Sequence, residues 1–152
     1  MTDVNVKTKP ILLVEDTPDD AELTVMSLRK SGLLNEVILA EDGVEALDYL
    51  FCRGAQAGRD PRIQPALVLL DIKMPRLNGI EVLQQLRADP RTRTLPVVIL
   101  TTSVEDMDLL HAYQSGANAY VRKPVGLPQF QEAIRQLGLF WLVTNEGPPD
   151  LR

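Results

Sequence analysis

Residues 66–75 read Ala, Leu, Val, Leu, Leu, Asp, Ile, Lys, Met, Pro, and no other stretch limits the fold as tightly. Leu67, Val68, Leu69 and Leu70 run without a break into Asp71. A short unbroken apolar run fits a strand buried on both faces, as in a parallel sheet, and not a strand with one wet face. Pro75 has no N–H for a ladder, so the strand must stop before it. Asp71 is therefore expected at the carboxyl end of a central strand, the edge where open α/β sheets bind ligands. Taken alone, the same carboxylate could simply end a strand and cap the next turn.

Other runs of this kind recur along the chain. Ile11, Leu12, Leu13 and Val14 predict a first strand that runs into Glu15 and Asp16. Thr17 is expected to cap the next helix, with Pro18 at its first position and Asp19 and Asp20 at its positive end. That helix carries Ala21, Val25 and Leu28 and stops at Gly32. Val37 to Ala40 predict a second strand, followed by a helix with Val44, Leu47 and Phe51 on its buried face. Residues 53–65 are glycine-rich and charged, which predicts a long surface loop. Residues 66–71 form the third strand. Gly79 opens a third helix with Ile80, Leu83 and Leu86, closing near Asp89 and Pro90. Residues 96–100 form a fourth strand that delivers Thr101, Thr102 and Ser103, with a fourth helix over 104–115. Residues 118–122 predict a fifth strand ending at Lys123, and a fifth helix carries Phe130, Ala133, Ile134 and Leu137.

Five strands alternating with five helices imply a doubly wound parallel sheet with right-handed crossovers. The expected divisions are a flexible N-terminus over residues 1–9, one domain over 10–138 and an extension over 139–152. Gly138 is expected to end the fifth helix. Five apolar residues come next, including Phe140 and Trp141, and leaving them all in water would be costly. They are expected either to fold back locally or, as the preferred reading, to pack on a second copy as an arm of a homodimer.

Composition removes several function classes. The formal net charge is −5 and no Lys/Arg cluster stands out, which argues against a nucleic-acid partner. No apolar stretch approaches the roughly 20 residues of a membrane span, and no signal core follows Met1. Cys52 is the single cysteine, so no internal disulfide can form, which fits a reducing, cytoplasmic setting.

The strand ends carry the chemistry. Glu15 and Asp16, Asp71, Thr101 and Lys123 each stand where a parallel strand stops, so they are expected at one edge. Three carboxylates at close range raise one another's pKa unless a cation intervenes. Oxygen-only ligands suit a hard divalent ion, Mg2+ above all, and no Cys/His cluster exists for zinc. With that charge offset, Asp71 could act as a carboxylate nucleophile and form an aspartyl-phosphate. Lys123 and Thr101 could then bind phosphoryl oxygens.

On these residues the chain resembles the response-regulator receiver domains of bacterial two-component signalling, which have a flavodoxin-like fold. Residues 11–16, 67–75 with Gly79, 97–103 and 120–124 carry the likeness. It implies that Asp71 is the phosphoacceptor and Asp16 a direct Mg2+ ligand. Glu15 would hold the ion through water, and Lys73 would contribute its backbone carbonyl. Thr101 and Tyr120 would be the switch residues and Lys123 the phosphate-binding lysine, joined to Pro124 by a cis bond. The long loop and the Phe-Trp tail resemble the small stand-alone receivers that partner bacterial phytochromes. The resemblance implies no enzyme of its own but a protein phosphorylated by a sensor histidine kinase. Output would come from switched protein contacts or from passing the group to a histidine phosphotransfer protein.

Some residues depart from the family pattern. Glu15 stands where aspartate is commoner, Lys73 puts a cation beside the acceptor, and Ser103 offers no acid or amide to orient water. A Mg2+-dependent aspartyl phosphatase is a rival, but it wants a second acid where Lys73 stands. A flavin or nucleotide carrier wants a glycine-rich loop where Glu15, Asp16, Asp19 and Asp20 would repel phosphate. A receiver-like module that takes no phosphate is the third alternative. His111, the lone histidine, reads as a surface residue of an amphipathic helix.

Overall fold

The computed structural model describes residues 9–149, so the loose N-terminus expected over residues 1–9 lies, but for Lys9, outside the described residues. The strands are β1 (Ile11–Val14), β2 (Val37–Ala40), β3 (Leu67–Leu70), β4 (Val97–Thr101) and β5 (Ala119–Arg122). They form one parallel sheet in the order β2-β1-β3-β4-β5. The helices are α1 (Pro18–Lys30), α2 (Gly43–Leu50), α3 (Gly79–Ala88), α4 (Asp106–Gln114) and α5 (Leu127–Leu139).

The unbroken apolar runs follow from burial on two faces. Leu12, Val14, Val68, Leu70, Val97 and Ile99 pack with Leu47 and Leu50 of α2 and Val82, Leu83 and Leu86 of α3. Their alternates Ile11, Leu13, Leu67, Leu69, Val98 and Leu100 pack with Leu28 of α1 and with Phe130, Ile134 and Leu137 of α5. Every side chain of β1, β3 and β4 is buried, so no polar alternation can survive in them.

Several helix details differ from expectation. Thr17 precedes α1, but its side chain makes no capping bond; its N–H donates instead to Glu15 Oε2 at 3.3 Å. The buried face of α2 is rotated from the expected stripe: Ala46, Leu47, Tyr49 and Leu50 are buried, while Val44 and Phe51 are only partly so. Asp42 caps that helix, accepting the Glu45 N–H at 2.9 Å. Asn78 and Glu81 form a reciprocal capping box on α3. Only Ala112 of α4 is buried, so this helix is thinly held.

The long loop is organised by Arg59. Its guanidinium lies over the Tyr49 ring, 4.1 Å from the centroid. It also donates to the carbonyl of Tyr49 at 2.7 Å and to that of Ile63. One side chain thereby ties both ends of a turn that composition shows only as polar.

The C-terminal expectation needs correction. Gly138 does not end α5, which continues to Leu139 and then widens into a π-helical turn over Phe140–Thr144. A Cβ on Gly138 would lie 2.7 Å from Leu33 Cδ1. The glycine permits close packing and does not stop the helix. Extended backbone begins only at Asn145. Leu142 is 2 % exposed within the α1/α5 layer and Trp141 packs against it, whereas Phe140 and Val143 face outward. The apolar run is thus split between local fold-back and an open surface.

Candidate functional site

Parallel register places the functional side chains. Val14 pairs with Leu70 and Leu70 with Ile99, so Glu15 and Asp71, each one residue on, emerge side by side. The ladder runs past the strands: the Asp71 N–H donates to the Val14 carbonyl at 3.1 Å and the Lys123 N–H to the Thr101 carbonyl at 2.7 Å. Glu15, Asp16 and Asp71 each offer a carboxylate oxygen within 4.8 Å of the others, Glu15 and Asp71 buried and Asp16 exposed. One Asp71 oxygen, Oδ1, accepts the Ile72 N–H at 2.7 Å, which fixes the carboxylate plane.

Lys123 reaches into this group with a side chain only 3 % exposed. Its ammonium donates to Glu15 Oε1, to Asp20 Oδ2 at 3.0 Å and to Asp71 Oδ2 at 3.3 Å. Asp20 was expected only to favour the positive end of α1, and its place beside Lys123 comes from the fold. Burial pushes the Glu15 carboxyl up to about 7 against the downward pull of the Lys123 hydrogen bond, and the Asp71 charge adds to the rise. Burial also works against the charged Lys123, but its bond to Glu15 and the charges of Asp71 and Glu15 prevail and raise it to about 12. Burial and the Asp71 charge together disfavour the ionised form of Glu15, a cost that positive charge at the cluster would offset. The all-oxygen donor set fits Mg2+, which would supply that charge.

The acceptor loop is closed tightly. The Gly79 N–H donates to the Ile72 carbonyl at 2.9 Å, and a Cβ at Gly79 would collide with the Asp71 carbonyl oxygen. Arg76 sits in the left-handed region, φ 64°, and its guanidinium pairs with Asp42 at the head of α2. The side chain of Lys73 meets acids at the start of α4, pairing with Glu105 at 3.3 Å and lying 3.7 Å from Asp108. Its backbone carbonyl remains the group assigned to the metal by resemblance.

Thr101 is fully buried and its Oγ1 accepts the Ser103 N–H at 3.3 Å. Half-buried Tyr120 donates its hydroxyl to the Ser103 carbonyl at 3.4 Å. Ser103 Oγ donates to Asp108 Oδ2 at 2.6 Å. Thr101 and Tyr120 are therefore joined through Ser103, which sequence reasoning noted only for the acid it lacks. His111 is exposed on α4. The Lys123–Pro124 bond is trans and not cis as the resemblance implied, since no cis bond occurs among the described residues. Trans is the lower-energy form of an X–Pro bond. No helix among the described residues is long and apolar enough to cross a membrane.

The fold has counterparts among known proteins. The family model for the response regulator receiver domain matches residues 11–135. Response regulator Rcp1 of Synechocystis sp. is 35% identical over 97% of this chain and 99% of its own. The phosphorylated cyanobacterial phytochrome response regulator RcpA superposes with a TM-score of 0.87 at 36% identity, covering 93% of this chain and 99% of its own. The bacteriophytochrome response regulator RtBRR is 52% identical with a TM-score of 0.74, covering 94% of this chain and 86% of its own.

Proposed function

This chain belongs to the response regulator receiver domain family of two-component signalling, and from that premise we propose that it takes a phosphoryl group from a sensor histidine kinase onto Asp71. The observation that carries the reading is the meeting of Glu15, Asp16 and Asp71 within 4.8 Å, with Lys123 bonded to Asp71. An Asp71 oxygen attacks phosphorus and forms the acyl-phosphate bond. The bond from phosphorus to the kinase histidine breaks, and the imidazole nitrogen keeps its electron pair. Mg2+, held by Glu15, Asp16, Asp71 and the Lys73 carbonyl, would offset the charge of the carboxylates and the phosphoryl oxygens.

Lys123 passes from the Asp71 carboxylate to a phosphoryl oxygen, a short move for a group already bonded there. Thr101 Oγ1 accepts from Ser103 and still carries a proton to donate to another oxygen. A pull on Thr101 reaches Tyr120 through Ser103, and Asp108 carries it to the thinly held α4. The charge change at Asp71 thus biases a two-state element from β4 to β5.

RcpA is a cyanobacterial phytochrome response regulator and RtBRR a bacteriophytochrome one, which supports a bacterial phytochrome as the kinase here. Outward-facing Phe140 and Val143 support a homodimer in which the last turn of one copy meets the other. Acetyl phosphate with Mg2+ should add one phosphoryl mass to the wild type and none to Asp71→Asn, since an amide is a poor nucleophile. Equal uptake by the variant would refute the assignment.

A further inference from the structure

We propose that Asp20 is the positioning residue of Lys123, the carboxylate that keeps the ammonium over Asp71 once a divalent cation has drawn the other acids away. The inference rests on the proposed function, in which Glu15, Asp16 and Asp71 hold the cation.

An ammonium has three N–H donors, and those of Lys123 meet Glu15, Asp20 and Asp71. Two of the three acceptors, Glu15 and Asp71, also belong to the group that can hold a metal, whereas Asp20 does not. A bound divalent cation competes for those shared oxygens and repels the ammonium. While Asp20 is in place Lys123 is shielded from water, its side chain only 3 % exposed. A buried ammonium without a partner is costly, so the one unshared acceptor decides where it stays.

Asp20 is built to hold still. It lies in the first turn of α1, and its carbonyl accepts the hydroxyl of fully buried Thr24 at 2.8 Å. Ala21 and Leu28 anchor the same helix in the core. The Asp20 side chain is 34 % exposed, at the mouth of the site, where it meets Lys123 without entering the metal group. Asp19, the neighbouring acid of the same turn, is exposed and serves as the control for a simple helix-end charge.

The test follows the Lys123 ammonium by side-chain 15N NMR, with and without saturating Mg2+. In wild type and in Asp19→Ala the signal should persist in both conditions. In Asp20→Ala it should persist without metal, where Glu15 and Asp71 still hold it, and vanish by exchange with water when Mg2+ is added. Asp20→Asn keeps an oxygen acceptor and should restore the signal. The Mg2+-loaded Asp20→Ala protein should bind beryllofluoride about tenfold more weakly, the scale of one charge-assisted hydrogen bond. Persistence of the Asp20→Ala signal in Mg2+ overturns the proposal, and so does its loss in both conditions, which would mean a merely structural role. Calorimetry of wild type with Mg2+ separates the two readings. Absence of binding overturns the metal site and this inference together. Normal binding with an unmoved Asp20→Ala signal overturns this inference alone.

Discussion

Leu142→Ala tests whether the end of the chain belongs to its own core. Leu142 is 2 % exposed and shares a layer with Leu28, Ile134 and Leu137. Truncating a buried leucine costs about 2–5 kcal/mol, less where neighbours can collapse into the gap. A turn near the chain end relaxes more easily than a central strand, so a loss of about 2–3 kcal/mol is expected. For a domain of this size each kcal/mol moves Tm by roughly 2–4 °C, which predicts a fall of about 4–12 °C. Phe140 is 49 % exposed and its ring meets Trp141 edge-on, so Phe140→Ala should cost about 1 kcal/mol in the folded chain, less than Leu142→Ala. It should also shift the protein toward monomer in sedimentation equilibrium. Urea unfolding must be run at several protein concentrations, because a dimer's apparent stability depends on concentration. A Leu142→Ala protein within about 0.5 kcal/mol of wild type at every concentration would refute the local packing. A wild type that stays monomeric at high micromolar concentration, with and without phosphorylation, would end the dimer reading.

Two further outcomes concern the site. Gly79→Ala drives a methyl group into the Asp71 carbonyl; it should destabilise the protein by about 1–3 kcal/mol and displace the acceptor loop, so intact mass should show reduced uptake from acetyl phosphate, and full uptake at wild-type stability would contradict the close approach. In metal-free protein the Glu15 carboxyl, raised from 4.5 to about 7, binds its proton more tightly folded than unfolded; the resulting stabilisation is complete below pH 4.5 and lost as pH rises through 7. Urea midpoints of wild type should therefore fall across that window relative to Glu15→Gln, and parallel curves would show that Glu15 titrates normally.

Much of this protein is written locally. Short unbroken runs bounded by turn residues, such as Leu67 to Leu70, fit strands covered on both sides, and their alternation with helical stripes points to a parallel sheet. A parallel sheet in turn gathers its strand ends, so the meeting of Glu15, Asp16 and Asp71, with Lys123 bonded into it, is legible without any contact being known. Departures arise where a neighbour distant in sequence decides. The stripe of α2 is rotated about Leu47 toward a sheet that periodicity does not describe. Gly138 reads as a helix stop because glycine is a common one, yet it marks the close passage of Leu33. Lys73 stands two residues after the acceptor, but its ammonium answers to Glu105 on another element. Asp20 and Lys123 meet across 103 positions of chain. Residue pattern records which face of each element avoids water, because burial is a property of one segment and its surroundings on average. Which acid meets which cation depends on how packed elements bring side chains to within hydrogen-bond reach, and only the folded chain sets that distance.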